Sequence, residues 1–333
     1  NLPNILTSVR ILMVPFFAWA LWAGGPWGGD SLLARWLALA LFAAAMYTDK
    51  LDGDIARARG LITDFGKIAD QNPGRLVDAG ELAVALQSLA VQTRPADDIL
   101  IVLDGPVDDS VEGVVEGFAE KQQRARVLRL ERNLGSGPAS QAGLEAINAD
   151  YVARLDSDDA AKPERFAAQL GYLQAHPEVA ALGTAVEEFE GALTGGGKIR
   201  ALPADPNEYV KLNSPINNPS VMFRREAVVA VGGYKDVPFM EDYDLWARLV
   251  AGGYRLANLP EPLTYFRVGA GQLARRSDPR TRRAERQMQR NLVEYGLISR
   301  PRAVGNWLVR NLYRALPVGV TQRVYSLLFH RAE

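Results

Sequence analysis

Ile99-Leu100-Ile101-Val102-Leu103-Asp104-Gly105-Pro106 reads as a short strand and the turn that ends it. Five apolar residues in a row, rich in β-branched side chains, fit a strand buried on both faces, and Asp-Gly-Pro stops it. Helical periodicity precedes the run over residues 81–92. After it come a second strand expected over 126–130, a helix over 139–147 and a third strand over 151–155 that ends on Asp156-Ser157-Asp158-Asp159. Such alternation predicts an α/β sandwich around a largely parallel sheet. Ligands of such sheets bind beyond the carboxyl ends of the strands, where Asp104 and Asp156 stand.

The chain has 333 residues, 48% hydrophobic and 23% charged. That is enough for two domains and too apolar for a disordered chain. The absence of cysteine excludes disulfides, thiolate nucleophiles and Cys-ligated metals, and the two histidines, His176 and His330, exclude a multi-histidine centre. A metal here needs carboxylates and is therefore Mg2+ or Mn2+. The formal net charge of −1 argues against a nucleic-acid partner. It is also a cancellation. Residues 1–70 hold six basic and six acidic side chains; residues 275–333 hold thirteen arginines against four acidic residues, a net of +9; residues 71–274 carry −10.

Two apolar runs, residues 5–23 and 32–48, are separated by Gly24-Gly25-Pro26-Trp27-Gly28-Gly29-Asp30. A helix needs roughly 20 residues to cross a bilayer, so a two-helix membrane hairpin is expected rather than a cleaved signal. Lys50, Arg57, Arg59 and Lys67 follow the second run, and the loop between the runs has no basic residue. This asymmetry places the remainder, including any catalytic domain, on the cytoplasmic side of the membrane. Residues 302–331 interleave aromatic and aliphatic side chains with Arg310, Arg314 and Arg323. That pattern fits helices lying on an anionic membrane, and equally helices packed on the preceding domain.

Just after the second run, Asp49 and Asp52 lie about one helical turn apart and can hold Mg2+ against a pyrophosphate. Gly53 and Ala56 permit close approach, and Arg57 can pair with phosphate. A charged, solvated helix end accounts for the bare residues as well. The spacing Asp49-x2-Asp52-Gly53-x2-Ala56-Arg57-x8-Gly66-x3-Asp70 resembles the signature of the CDP-alcohol phosphatidyltransferases. Asn1-Leu2-Pro3-Asn4-Ile5-Leu6-Thr7, with Arg10 and Pro15, is similar to the start of its phosphatidylglycerophosphate synthase branch. The resemblance implies that the aspartates bind metal and a CDP-linked lipid, with a final aspartate as base. That final position is Gly74, and the family's further membrane helices have no counterpart. Residues 1–70 are therefore expected to be a truncated module that anchors, with a vestigial site at Asp49, Asp52, Gly53, Ala56, Arg57, Gly66 and Asp70.

Asp156 and Asp158 can coordinate a divalent ion that bridges a nucleotide diphosphate. Acidic turns after strands are common, so the pair draws its weight from its company. Asn133-Leu134-Gly135-Ser136-Gly137-Pro138-Ala139 leads small residues into a helix N-terminus, which favours phosphate or tight packing. Pro238-Phe239-Met240-Glu241-Asp242-Tyr243-Asp244-Leu245-Trp246 sets Glu241 and Asp242 in an apolar stretch. A carboxylate there gains a raised pKa and suits a general base.

In this order, and with Ala90-Val91-Gln92-Thr93, Pro163-Glu164-Arg165, Asn218-Pro219-Ser220, Gly232-Gly233-Tyr234 and Arg275-Arg276, the chain resembles the family 2 glycosyltransferases of GT-A fold. The resemblance implies a nucleotide-sugar donor held by Asp104, Asp156, Arg275 and Arg276, with Mg2+ or Mn2+ on Asp156 and Asp158. It implies that Asp242, beside Glu241, takes the proton from an acceptor hydroxyl attacking the anomeric carbon in line, with inversion. A polysaccharide or lipid-linked acceptor is expected.

The resulting layout is a GT-A-like nucleotide-sugar-binding sandwich over residues 75–276, after an N-terminal membrane hairpin and before Arg-rich C-terminal helices over 277–333. The family's first strand is not evident, since its place reads Ile68-Ala69-Asp70-Gln71-Asn72-Pro73-Gly74-Arg75-Leu76-Val77-Asp78. Competing expectations are a CDP-alcohol phosphatidyltransferase and a degenerate fusion that only anchors or binds. Gly191 to Lys198 fails the phosphate-loop spacing at Ala192 and Ile199 and is expected to be a hairpin loop, and His176 is expected to end a helix.

Overall fold

The structure, a computed structural model, describes residues 78–268, apart from Thr194 and Ala204, and residues 279–315, together with Leu33 and Trp36. The chain divides into two units, Asn1–Asp70 and Gln71–Glu333. In the first, Leu33 and Trp36 are helical and exposed. The expected membrane hairpin, the CDP-alcohol-type residues from Asp49 to Asp70, and Arg275 and Arg276 lie outside the described residues. Among the described residues no helix is long and apolar enough to cross a membrane.

Helix α1 (Ala79–Ala90) is started by Asp78, whose Oδ1 accepts from Glu81 N at 3.0 Å and so satisfies an orphan amide of the first turn. Strand β1 (Ile99–Leu103), helix α2 (Asp109–Lys121) and strand β2 (Ala125–Arg129) follow. The two strands pair in parallel, from Ile99 opposite Ala125 to Leu103 opposite Arg129. Leu82 and Leu86 of α1, Ile99, Ile101 and Leu103 of β1, and Val111 and Val115 of α2 form one buried cluster. Among the described residues β1 pairs with β2 alone.

The second sheet is larger. Its elements are α3 (Ser136–Ala146), β3 (Tyr151–Ala153), β4 (Ala160–Ala161), α4 (Arg165–Ala175), β5 (Val179–Phe189), β6 (Ile199–Arg200), α5 (Pro206–Tyr209), β7 (Met222–Arg224), α6 (Arg225–Ala230), α7 (Glu241–Ala251), β8 (Arg255–Arg267), α8 (Pro279–Glu294) and α9 (Arg300–Ala315). The strand order is β3-β7-β5-β8-β4, with β6 on β5. Only β5 and β8 run parallel in this sheet; its other pairs are antiparallel. The expectation of a largely parallel sheet is corrected to a mixed one. A buried apolar run shows that a strand is covered on both faces but not which way its neighbours point, and the short β5–β6 connection permits only an antiparallel pair.

Smaller boundaries shift for local reasons. Helix α3 begins at Ser136, not Ala139, because Pro138 is acceptable in a first helical turn. Strand β3 ends at Ala153, not Leu155, although Arg154 N still donates to Val221 O at 2.9 Å before the chain turns. The loop from Gly191 to Lys198 joins the β5–β6 hairpin, and His176 caps the end of α4. Helix α7 lies deepest: Tyr243, Leu245, Trp246 and Leu249 are buried with Phe223, Met288 and Leu292.

Candidate active site

Asp104 follows directly on β1 and faces the start of α3. Its Oδ1 accepts from Leu134 N at 2.7 Å and its Oδ2 from Gly135 N at 2.9 Å. Gly105 makes this approach possible, since its φ is +94° and a Cβ there would stand 2.6 Å from Asn133 N. The small-residue stretch before α3 thus serves as the seat of the Asp104 carboxylate. Gly137, in the first turn of α3, is buried against the chain leading to α7: a Cβ on it would meet Lys235 O at 2.6 Å and Glu241 Cβ at 3.3 Å. One helix terminus therefore touches both the Asp104 loop and the Glu241-Asp242 pair.

The turn after β3 concentrates negative charge. Asp159 is 2% exposed; its Oδ1 accepts from Arg267 N at 2.8 Å, and its Oδ2 is buried without a hydrogen-bond partner. Burial first, then the Asp156 and Asp158 charges, hold the Asp159 carboxyl well above the usual carboxylate range, against the Arg267 amide and Arg200. Arg267 also donates from Nε to Asp158 O at 3.0 Å, which ties the turn to the end of β8. Fully buried Arg165 donates to Arg154 O at 2.7 Å and Val221 O at 3.1 Å, bracing the strand ends.

Asp156, Asp158 and Asp159 fit a divalent cation: three carboxylates repel one another in one turn, and one of their oxygens is buried and unpartnered. Among the described residues no three acidic or imidazole side chains converge closely enough to enclose an ion. The turn would thus supply only part of a coordination shell, the rest coming from substrate phosphates and water, as suits Mg2+ or Mn2+.

Glu241 and Asp242 open α7. The chain enters this helix through Phe239 at φ 66°, a left-handed conformation that is unusual for an aromatic residue and holds the helix start in one orientation. Asp242 keeps some surface, yet the protein mass around it desolvates the carboxylate. Burial and then Glu241 push Asp242 up to about 7, against the Tyr243 amide and Arg154. Ser214 Oγ lies 3.4 Å from Asp242 Oδ2.

The helix is locked from behind by Asp244, which is fully buried. Its Oδ2 accepts from Arg248 Nε at 2.8 Å, and its Oδ1 accepts from Asn291 Nδ2 of α8 and Tyr295 Oη just beyond it, each at 2.8 Å. Arg248 in turn donates to Val231 O at 2.6 Å and Gly233 O at 2.7 Å.

Between the acidic turn and α7 stands Arg154. It bonds Asp156 Oδ1 through Nη2 at 3.0 Å and Nε at 3.1 Å, donates from Nη1 to Ser140 Oγ at 2.6 Å, and lies 6.0 Å from the Tyr234 ring centroid. Its charge is felt at Asp242, and the charge of Glu241 is felt at Arg154. The structure thus brings Asp156, Glu241 and Asp242 into one electrostatic unit, with Asp104 linked to it through α3. Arg154, Asp159 and Asp244 escaped sequence reasoning. The signal for Arg154 was a lone cation two residues before the acidic turn.

Comparison with known proteins adds to this geometry. Residues 78–232 match glycosyl transferase family 2, and residues 1–96 match the CDP-alcohol phosphatidyltransferases. The chain is 37% identical to the amylovoran biosynthesis glycosyltransferase of Erwinia amylovora over 74% of its own length and 92% of that protein. It is 30% identical to the UDP-Gal:alpha-D-GlcNAc-diphosphoundecaprenol beta-1,3-galactosyltransferase of Escherichia coli, over 75% of this chain and 91% of that one. A probable phosphatidylglycerophosphate synthase of Mycobacterium tuberculosis is 49% identical over 70 residues, 21% of this chain and 32% of that protein.

Among solved structures, Staphylococcus aureus TarS residues 1–349 superpose with a TM-score of 0.54 at 16% identity, covering 74% of this chain and 71% of that one. The mannosyltransferase of Pyrobaculum calidifontis, solved with GDP-Man and Mn2+, gives 0.52 at 16% identity, covering 75% and 77%.

Proposed function

The chain belongs to glycosyl transferase family 2, and from that premise we propose that it is a metal-dependent, inverting glycosyltransferase at a membrane surface. It moves a sugar from a nucleoside-diphosphate donor to a polysaccharide or lipid-linked acceptor. The observation that carries the reading is the meeting of the acidic turn and the raised Asp242 carboxyl around Arg154. A donor-side charge cluster and an acceptor-side base in one electrostatic unit are what sugar transfer requires.

In the proposed reaction the acceptor hydroxyl gives its proton to an Asp242 oxygen as the hydroxyl oxygen bonds to the anomeric carbon. The bond from that carbon to the diphosphate oxygen breaks on the opposite side, so configuration inverts. Glu241 sharpens the basicity of its neighbour by like-charge repulsion. A cation on Asp156 and Asp158 would offset the charge of the departing diphosphate. Asp104, seated on the α3 loop, is assigned to the nucleoside end of the donor, and Arg275 and Arg276 to the leaving group.

A lipid-linked acceptor is supported by the Escherichia coli relative, named for its diphosphoundecaprenol-linked acceptor, and cation use by the mannosyltransferase solved with Mn2+. Membrane association is supported by the apolar runs of residues 5–23 and 32–48 and by Val304, Leu308 and Val309, exposed on α9. The test is donor turnover with Mn2+ by the wild type and by Asp242→Asn. Loss of transfer in the variant with donor binding retained is expected; full activity in the variant, or activity without a divalent ion, contradicts the reading.

The N-terminal match spans about a third of its phosphatidylglycerophosphate synthase relative, and Gly74 stands where the final base belongs. We assign residues 1–70 to anchoring at the membrane, with the catalytic domain on its cytoplasmic side. Release of CMP from CDP-diacylglycerol and glycerol 3-phosphate would overturn that assignment.

A further inference from the structure

Arg154 holds one oxygen of the carboxylate assigned to the cation, Asp156 Oδ1. Two of its nitrogens lie 3.0 and 3.1 Å from Asp156 Oδ1, while its third contact is Ser140 Oγ on α3 at 2.6 Å. A guanidinium keeps its charge at any working pH, so this positive charge can leave Asp156 only by moving. It repels a divalent ion brought to the same oxygen. The acidic charges that act on Arg154 show where it would go, since Glu241 acts on it as well as Asp156. The α3 terminus that carries Ser140 also touches Glu241 through Gly137, so the displaced side chain has a short path and a retained anchor.

We propose that Arg154 is a positioning residue that occupies Asp156 in the cation-free protein, competes with the divalent ion for it, and on displacement turns its charge toward Glu241 and Asp242. The proposal rests on the reading of Asp156 as a cation ligand. It has a thermodynamic consequence. The free protein holds the ion weakly, and a nucleoside diphosphate, bringing negative charge to the same place, strengthens ion binding. By linkage the ion strengthens diphosphate binding by the same factor. Cation and donor therefore arrive as a pair, and the acidic turn is not left neutralised by an ion alone.

The test is Mn2+ binding to the full chain without turnover, by calorimetry or by loss of the free-ion paramagnetic resonance signal, with and without UDP. In Arg154→Gln, Mn2+ alone is expected to bind on the order of tenfold tighter than in the wild type, because a unit charge a few ångströms away has gone. The strengthening of Mn2+ binding by UDP should shrink by about the same factor. If Arg154 only braced the turn, its loss would weaken Mn2+ binding or leave it unchanged, and either result overturns the proposal.

Arg154→Lys, which keeps the charge but not the fork, is expected to gain only about threefold. That variant carries the test should Arg154→Gln not fold, and no gain overturns the proposal there too. Asp156→Asn separates the two layers of the argument. Wild-type Mn2+ affinity in Asp156→Asn removes the cation-site reading and the proposal with it. Lost affinity there, with no gain in Arg154→Gln, removes the proposal alone.

Discussion

The parallel pair β1–β2, which presents Asp104, shares a buried cluster of seven apolar side chains, whereas the mixed sheet and α7, which present Asp242, draw on a cluster of twenty-two. The polar support differs in the same direction. Asp104 is held by two backbone amides of a partly exposed loop, while Asp244, two residues beyond Asp242, is sealed under Arg248, Asn291 and Tyr295. The half to which we assign the proton acceptor is the more heavily packed. The half proposed to face the nucleotide has the smaller cluster, and its strand β1 has, among the described residues, a neighbour on one side only. On the proposed reading, donor affinity then leans on what the ligand and its ion bring.

The largest expected effect is the removal of the buried anchor on the thick side. Asp244→Ala leaves the Arg248 guanidinium buried beside an empty space and should cost about 3–5 kcal/mol in urea unfolding. If the cost is below about 1 kcal/mol, α7 is not the rigid side and the contrast fails. On the thin side, Leu103→Ala should cost about 2–3 kcal/mol, near the lower end for core truncations, since the cluster around it is small enough to collapse. Native-state hydrogen exchange offers a second check, with amides of β1 and β2 expected to exchange well before those of α7.

How far these features were legible in the sequence follows from the same contrast. Asp104, Asp156 and Asp242 could be named because a carboxylate after a buried apolar run, or inside an apolar stretch, stands out locally. The strand directions could not, because β5 meets β8 some seventy residues later and nothing in either run records the direction of the partner. Two partners of Asp244 lie 47 and 51 residues away, Asn291 on α8 and Tyr295 just beyond it, so nothing local in the sequence marks Asp244 as a buried lock. Arg154 fell unremarked within the strand expected over 151–155; its setting emerges only when β3, α3 and α7 are brought together. The expected lack of a first strand rests on residues 68–78, of which 68–77 lie outside the described residues.

A pH measurement sharpens the thick side further. In the folded protein burial and Glu241 push Asp242 up to about 7, from the ordinary carboxylate value of about 4. Between those values the native state holds a proton that the unfolded chain has lost, so this group's contribution is fully present below about pH 4 and is lost as pH rises through about 7. Asp242→Asn should flatten that part of the stability profile. Turnover should run the other way, since a base must be unprotonated: kcat/KM is expected to rise with pH along a limb centred near 7. A limb near 4 would place the proton acceptor elsewhere.

The smallest expected effect lies at the rim of the thin side. Arg126 and Asp98 form a forked ion pair at 2.7 Å, but both are exposed by about a third or more. Arg126→Ala should therefore cost no more than about 1 kcal/mol, part of it from the lost bond to Ala146 O.

The central claim, that a thinly built donor side works through an ion held at the acidic turn, meets its most direct test in calorimetric titration of UDP and of GDP into the full chain. Titrations are run with Mn2+, without it, and on Asp156→Asn. The account predicts measurable binding of at least one nucleotide with Mn2+, and loss of that binding both without the ion and in Asp156→Asn. Equal binding with and without Mn2+, or binding untouched by Asp156→Asn, would contradict it.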